Sequence, residues 1–340
     1  MSARPFICGP KDGVDADALG RLNASGIRFT ADPNYDQGPY MAGIKRDAGL
    51  DAVTTFDRDS FPRVDWDAVR IDPRTVPWET LVADQLEEYA ELWPVLPHII
   101  NVWNEWAGTG GFEESPLPAD VVNGIARLTR ECFGDNQLLA HGSIVDGQPS
   151  SLQALDWTHV NFADVHEYTK TAPGYYGAPG GATLDLSQYH AVLPSHVGII
   201  ISEIGLSSDE VGEASQAVYL ESIMRYCISL PDLYLVSWFA YHPYNGWGVI
   251  KADGEPKPSY YSYQRAAATY TKEDPVPDDR VFDVGSGLLE MMAEDGAKPI
   301  TDSTWLPLGR NPSYVEESMA DNGIIYRWSS IQNKGYRYRP

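Results

Sequence analysis

"IINVWNEWAG", residues 99–108, carries an extended apolar run, Ile99 to Trp103, straight into an adjacent amide and acid, Asn104-Glu105. A second run, "VGIIISEIG" at 197–205, also ends on an acid, Glu203. Consecutive apolar side chains leave neither face of a strand for water, which is the pattern of a parallel sheet covered on both sides. An acid at the end of each such strand therefore needs a use beyond solubility.

Working outward, runs of the same kind recur at Phe6–Cys8, Ile27–Thr30, Leu50–Phe56, Leu138–Ala140, Phe162–Val165 and Leu233–Phe239. With Ile99–Trp103 and Val197–Ile201 they make eight candidate strands. Helix-period segments separate the later ones. Residues 79–93 place Leu81, Leu86, Tyr89, Ala90 and Trp93 near helical spacing before Pro94, residues 118–133 repeat the pattern from Pro118, and residues 213–230 repeat it before Pro231. Eight strand-helix repeats predict a closed (β/α)8 TIM barrel over residues 1–272, close to the usual size of about 250 residues. An open doubly wound sheet is the alternative. Its Gly-rich first turn, G-x-G-x-x-G, is not matched by "CGPKDGVDA".

After Tyr270 the composition turns polar, and "TKEDPVPDDR" (271–280) reads as a linker. An amphipathic helix with Phe282, Leu288, Leu289 and Met292 on one face is expected next. Two strands, "GIIYRWSS" and "GYRYRP", then form a hairpin through Asn333-Lys334-Gly335. Residues 273–340 are thus expected to be a small α+β C-terminal extension packed on the barrel.

The chain has 340 residues, 43% of them hydrophobic, with 10 Trp and 20 Tyr, enough to bury a large core. Its 48 acidic residues against 25 basic give a formal charge of −23, which opposes nucleic acid and anionic membranes as partners. Three dispersed cysteines, Cys8, Cys132 and Cys227, build neither a disulfide framework nor a C-x-x-C site. The opening "MSARPFICGPKDG" has no long apolar core and no later stretch reaches the ~18 apolar residues of a membrane span, so the chain as given reads as soluble, cytoplasmic or secreted with its signal removed.

In such a barrel the C-terminal strand ends share one mouth. Glu105 ends strand four and Glu203 strand seven, which face each other across it. Two opposed carboxylates are what glycoside hydrolysis uses, one to protonate the leaving oxygen and one to attack the sugar or activate water. Taken singly, each acid is as readily a polar cap at a strand end. In "ADVHEY" (163–168), His166 and Tyr168 share one face and could reach Glu203 or the substrate, while Glu167 falls on the other face as an outer charge. Arg28, near the end of strand two, could keep a nucleophilic carboxylate ionised or could pair with Asp32. Asn104 suits a sugar hydroxyl. Trp238, Tyr241, His242, Tyr244 and Trp247 at the end of strand eight, with Trp106, Phe112, Tyr175 and Tyr176 in other loops, suit the apolar face of a sugar. "GTGG" (108–111) reads as a lip beside Glu105.

On these residues the chain resembles a retaining β-glycosidase of glycoside hydrolase clan A, near families five and thirty-nine. The resemblance covers roughly the first 270 residues and implies an acid/base at Glu105 after Asn104 and a nucleophile at Glu203. It also implies supporting roles for Arg28, His166, Tyr168 and Trp238. "WGVIKADGEPKPSYYSY" (247–263) is similar to the segment that follows strand eight in such enzymes, whereas Trp106 stands where many relatives have Pro. The implied substrate is a carbohydrate, with no cofactor and no metal. A direct attack by Glu203 predicts carboxyl groups about 5–5.5 Å apart, not the roughly 6.5–9.5 Å of an inverting pair, with Glu105 held protonated by the charge of Glu203. A non-catalytic carbohydrate-binding barrel is the reading from another class, though it has no use for paired carboxylates. No H-E-x-x-H or G-x-S-x-G occurs, and "VGSGLL" (284–289) lies in the tail, so zinc and serine hydrolases are unsupported.

Overall fold

The computed structural model describes residues 3–9, 14–35, 37–107, 117–145, 149–173 and 182–270, and five strands between 282 and 338. The chain divides into two compact units, Met1–Tyr270 and Thr271–Pro340.

In the first unit the order is β1 (Arg4–Cys8), α1 (Ala16–Arg21), β2 (Gly26–Thr30), α2 (Gln37–Ala48), β3 (Asp51–Thr55), α3 (Trp66–Ile71), α4 (Trp78–Leu92) and β4 (Ile99–Asn101). Then follow α5 (Ala119–Phe133), β5 (Leu138–Val145), α6 (Pro149–Leu152), β6 (Phe162–His166), the short pair β7 (Lys170–Thr171) and β8 (Ala182–Thr183), and α7 (Ser187–His190). The unit closes with β9 (Gly198–Ile204), α8 (Ser208–Val211), α9 (Glu213–Ser229), β10 (Leu233–Trp238) and α10 (Pro258–Ala267). Eight strands close a parallel barrel in the order β1-β10-β9-β6-β5-β4-β3-β2, the (β/α)8 architecture expected from the sequence.

The apolar runs bury both faces as their composition requires. Inside the barrel Phe6, Val53, Ile99, Ala140, Ile200 and Leu235 form a dry layer, one side chain from each of six strands. Outside, residues of alternate parity such as Ile7, Ile27, Ile100, Ile199 and Val236 pack against the helices. Gly26 is dictated by the interior, because a Cβ there would lie 2.2 Å from the Asp51 carbonyl oxygen and 2.3 Å from the Phe6 ring. Helices stop and start on local chemistry: Asp15 and Asp65 accept from the Asp17 and Ala68 amides, and α5 ends at Gly134 with φ +79°.

Two barrel strands carry an extra residue toward their C-terminal ends. Along β9 the pairing with β6 passes from Val165↔Ile201 to His166↔Glu203, and that with β10 from Val236↔Ile201 to Trp238↔Ile204. Along β5 it passes from His141↔Ala163 to Ile144↔Val165. Such bulges turn the side chains beyond them to the other face.

In the second unit β11 (Phe282–Asp283), β12 (Leu306–Gly309), β13 (Glu316–Met319), β14 (Ile325–Ser329) and β15 (Lys334–Tyr338) form one sheet in the order β11-β15-β14-β13-β12. The two strands expected at its end pair antiparallel, but Lys334 and Gly335 already belong to β15, so the connection is 330–333. Phe282, expected to begin a helix, is in a strand, and Leu288, Leu289 and Met292 lie outside the described residues. Phe282 pairs instead with Gly335 along the edge of β15.

Candidate active site

Strand parity and the two bulges decide what faces the mouth. On β2, Arg28 shares the inward face with Gly26, while Ile27 and Phe29 belong to the outer core. On β9 strict alternation from Ile200 would point Ser202 inward and Glu203 outward. The bulge brings both inward and sends Ile204 to the outer core. Glu105 sits just past β4 with φ +46°, in the left-handed region that non-glycine residues seldom occupy. Such strain, of order 1–3 kcal/mol, persists where the surroundings over-determine it and clusters at functional sites.

Glu203 is 5% exposed and held on two sides. Arg28 Nη1 lies 2.5 Å from its Oε1 while the Tyr168 hydroxyl donates to Oε2. Arg28 Nη2 also donates to Asn104 Oδ1 at 2.8 Å, so one guanidinium fixes both the β9 carboxylate and the residue before Glu105. Burial and the Glu203 charge push the Tyr168 phenol well above its ordinary range, so it donates and does not ionise. Trp247 meets Tyr168 edge-on with ring centroids 5.1 Å apart, backing the phenol.

Glu105 faces His166. Its Oε1 is 3.0 Å from His166 Nδ1, and Glu203 Oε2 is 3.7 Å from the same nitrogen. One donor atom from each of Glu105, His166 and Glu203 lies within 4.8 Å of the other two, so an oxygen of each carboxylate stands within that distance of the other across the mouth. His166 Nε2 is 3.1 Å from Ser202 Oγ and 3.6 Å from Asp164 Oδ2. Burial opposes a charge on this imidazole, but Glu203, Asp164 and Glu105 outweigh it and push its pKa up to about 10. The three residues converge as cation ligands would, and the Arg28 guanidinium already places a positive charge against Glu203.

The Glu105 carboxyl differs from expectation. Burial raises its pKa, but the hydrogen bond and charge of His166, with the charge of Arg28, hold it below the usual carboxylate value. The charge of Glu203 was expected to keep Glu105 protonated; the imidazole that touches both acids reverses the sign.

The aromatic expectations divide. Trp247 is at the mouth. Trp238 is not: it is 0% exposed and faces outward, its ring 6.1 Å from Tyr219 of α9, because Leu235 and Ser237 hold the inward parity of β10. Phe239 stands at the mouth in its place, ring centroids 6.2 Å from Tyr168 and 6.1 Å from Trp247. Trp106, 8% exposed, packs in the outer core, and Tyr241 packs against that core near Tyr260 of α10, Arg21 of α1 and Asp15, which caps α1. Glu167 does face away from the mouth, but it is fully buried and accepts from the Tyr189 hydroxyl, not an outer charge. Phe112, Tyr175, Tyr176 and the lip 108–111 lie outside the described residues.

Beneath the carboxylates lies a polar layer that sequence reading missed. Asp164 Oδ2 accepts from Asn101 Nδ2 at 2.5 Å, Ser143 Oγ at 2.6 Å and Ser202 Oγ at 2.7 Å, and its Oδ1 accepts from the Ser202 amide at 3.0 Å. Cys8 Sγ and Ser237 Oγ adjoin it at 3.2 Å from each other. The available signal was parity: Asp164 precedes His166 by two on one strand face.

No protein-family model and no curated protein matches the chain. Solved structures do. GH5_18 from Streptomyces cattleya in complex with GlcNAc superimposes with TM-score 0.57 at 14% identity, over 84% of this chain and 86% of that one. A family 39 glycoside hydrolase from Bacteroides cellulosilyticus gives 0.55 at 14% over 97% and 71%. A GH128 endo-beta-1,3-glucanase from Amycolatopsis mediterranei, in complex with laminaritriose, gives 0.50 at 16% over 78% and 99%. The chain therefore has a fold like that of these glycoside hydrolases. Among the described residues no helix is long and apolar enough to cross a membrane.

Proposed function

We propose that the chain is a glycoside hydrolase that cleaves β-glycosidic bonds by retaining double displacement, with Glu203 as nucleophile and Glu105 as acid/base. The observation that carries the reading is the pair itself, with Arg28 and Tyr168 on one carboxylate and His166 between them. An oxygen of each acid within 4.8 Å of the other supports the short class, about 5–5.5 Å between carboxyl groups, over the roughly 6.5–9.5 Å that leaves room for a water between base and sugar.

In the first half-reaction Glu203 attacks the anomeric carbon while Glu105 gives a proton to the leaving oxygen, and the C–O electron pair goes to that oxygen. Arg28 pairs with Glu203 and holds its carboxylate in place without entering the reaction. With Asn104 Oδ1 taken by Arg28, the Asn104 amide nitrogen is the group left to bind a sugar hydroxyl. Phe239 and Trp247 supply apolar surface for a sugar face. In the second half Glu105 takes a proton from water, which displaces Glu203. The GlcNAc, laminaritriose and XXXG heptasaccharide named for the neighbouring structures favour a β-linked oligo- or polysaccharide.

A 2-deoxy-2-fluoro β-glycoside tests the assignment. Mass spectrometry is expected to find the covalent label on Glu203, and the first-formed product is expected to keep the β configuration. Label on another acid, or an inverted product, removes the mechanism. Binding of glycans with no hydrolysis of any aryl β-glycoside would favour the binding-barrel reading.

A further inference from the structure

Asp164 is a fully buried carboxylate one layer beneath the mouth, directly above the apolar layer of the barrel. A charge in that position costs several kcal/mol unless its oxygens are satisfied, and apolar replacement of such groups is often neutral or stabilising. Three side-chain donors and one amide satisfy it, from β4, β5 and β9. No sugar in the mouth could touch it. Its effect must pass through a neighbour, and the neighbour that continues toward the mouth is His166.

Both imidazole nitrogens face acceptors. Nδ1 points at Glu105 Oε1, and Nε2 at Ser202 Oγ, whose own proton goes to Asp164 Oδ2. Donation at both nitrogens is possible only for the imidazolium. The charged groups around this ring come from every strand that packs on it: Asp164 on β6, Glu105 after β4, Glu203 on β9, and Arg28 on β2 beyond Glu203, with the Tyr168 ring 6.4 Å away. Three acids face two cations, and Asp164 is the acid that takes no bond in the reaction.

We propose that Asp164 is a positioning residue which, through Ser202 and His166, keeps on the imidazole the proton that Glu105 delivers to the leaving group. The inference rests on the glycosidase reading above. As a bound sugar expels water, the Nδ1–H bond breaks and an O–H bond forms at Glu105 across 3.0 Å, the N–H electron pair staying on the ring. Glu105 passes the proton to the leaving oxygen as Glu203 bonds to the anomeric carbon. In the second half the proton taken from water returns from Glu105 to Nδ1. The hydroxide equivalent bonds to the anomeric carbon, and the Glu203–carbon electron pair goes back to Glu203. The depressed carboxyl of Glu105 in the resting site agrees with a proton stored on its partner.

The test is a titration of the His166 imidazole by NMR in the full chain, with kcat/KM against pH for the wild type and Asp164→Asn. Wild-type His166 is expected to stay an imidazolium beyond pH 8. In Asp164→Asn its midpoint and the alkaline limb of kcat/KM should both fall by about 1–3 pH units, the range an opposite charge at this distance produces. The loss at pH 8 should be larger for a phenyl glycoside than for a dinitrophenyl glycoside, whose leaving group needs little protonation. A purely structural role would lower activity without moving that limb. Wild-type His166 titrating near 6.5 overturns the inference without any variant, should Asp164→Asn fail to fold. An active wild type with an unmoved limb in Asp164→Asn sinks the role of Asp164 alone. A wild type that hydrolyses no β-glycoside sinks the glycosidase reading and this role with it.

Discussion

The floor of the barrel holds a half-buried histidine and the mouth a fully buried one, each inside a cluster of charges, and the two imidazoles are driven in opposite directions. At the floor, His98 Nε2 lies 3.0 Å from Arg4 Nη1 and 2.6 Å from the Tyr234 hydroxyl. Arginine can only donate, so this nitrogen must accept. Asp51 is occupied by Arg4 and Lys45. Burial, then the charge of Arg4, pulls the His98 pKa down to about 4. At the mouth, His166 has acceptors on both sides and is pushed up to about 10. Burial lowers both; what differs is whether the nearest fixed partner is a donor or a carboxylate. The floor cluster is a closed set of satisfied pairs. The mouth keeps one proton between groups that can exchange it.

The largest effect that would test this contrast comes from Glu203→Gln, chosen because an amide oxygen still receives Arg28 where alanine would strand a buried guanidinium. Turnover of an aryl β-glycoside is expected to fall on the order of 10⁴-fold or more, and the His166 midpoint to drop toward that of His98 as its strongest neighbouring charge is removed. Unchanged turnover would break the comparison at once. Next in size, Glu105→Gln should cost about 10²–10⁴-fold on substrates with poor leaving groups and far less on dinitrophenyl glycosides. Equal losses on both would mean that Glu105 is not the proton donor.

Stability against pH sharpens the comparison without reference to activity. His98 is lowered in the folded state, so its contribution is whole above about 6.5 and is lost as pH falls toward 4. His166 is raised, so its contribution is whole below about 6.5 and is lost as pH rises toward 10. Each slope is worth up to about 1.4 kcal/mol per pH unit. Urea denaturation should show the acid-side slope reduced in His98→Gln and the alkaline-side slope reduced in His166→Gln. The reverse pattern would refute the assignment. The smallest effect on chemistry belongs to Arg4→Ala. It should raise the His98 midpoint and cost about 1–3 kcal/mol of stability while leaving kcat within about twofold, because the floor is separated from the mouth by the apolar layer of the barrel.

Much of this is legible along the chain. The eight strands and the segments of α4, α5 and α9 follow from periodicity, because a strand buried on both faces and a half-buried helix each write a local pattern into the residues that build them. Glu105, Glu203, Arg28, His166 and Tyr168 were legible because each stands at or near a strand end, on residue types suited to the chemistry. Trp238 was misplaced by one position, since a bulky aromatic near a strand end gives no sign of which face it takes, and the inward parity passes to Phe239. Asp164 was overlooked because an acid inside a strand resembles any other polar interruption until its three donors arrive from other strands.

The sequence alone therefore determined the number and place of the barrel strands and the chemical types gathered near their ends, since those depend on residues a few positions apart. Tertiary structure decided the aim and the charge. The β9 bulge turns Glu203 inward, Glu105 in its left-handed conformation meets His166, and the state of each histidine is set by partners far away in sequence. Glu105 is 61 positions from His166, Ser202 is 36 from it, and Arg4 is 94 from His98. Electrostatic energy depends on distance in space, and no local pattern of residues records which distant charge closing the barrel will bring against which ring.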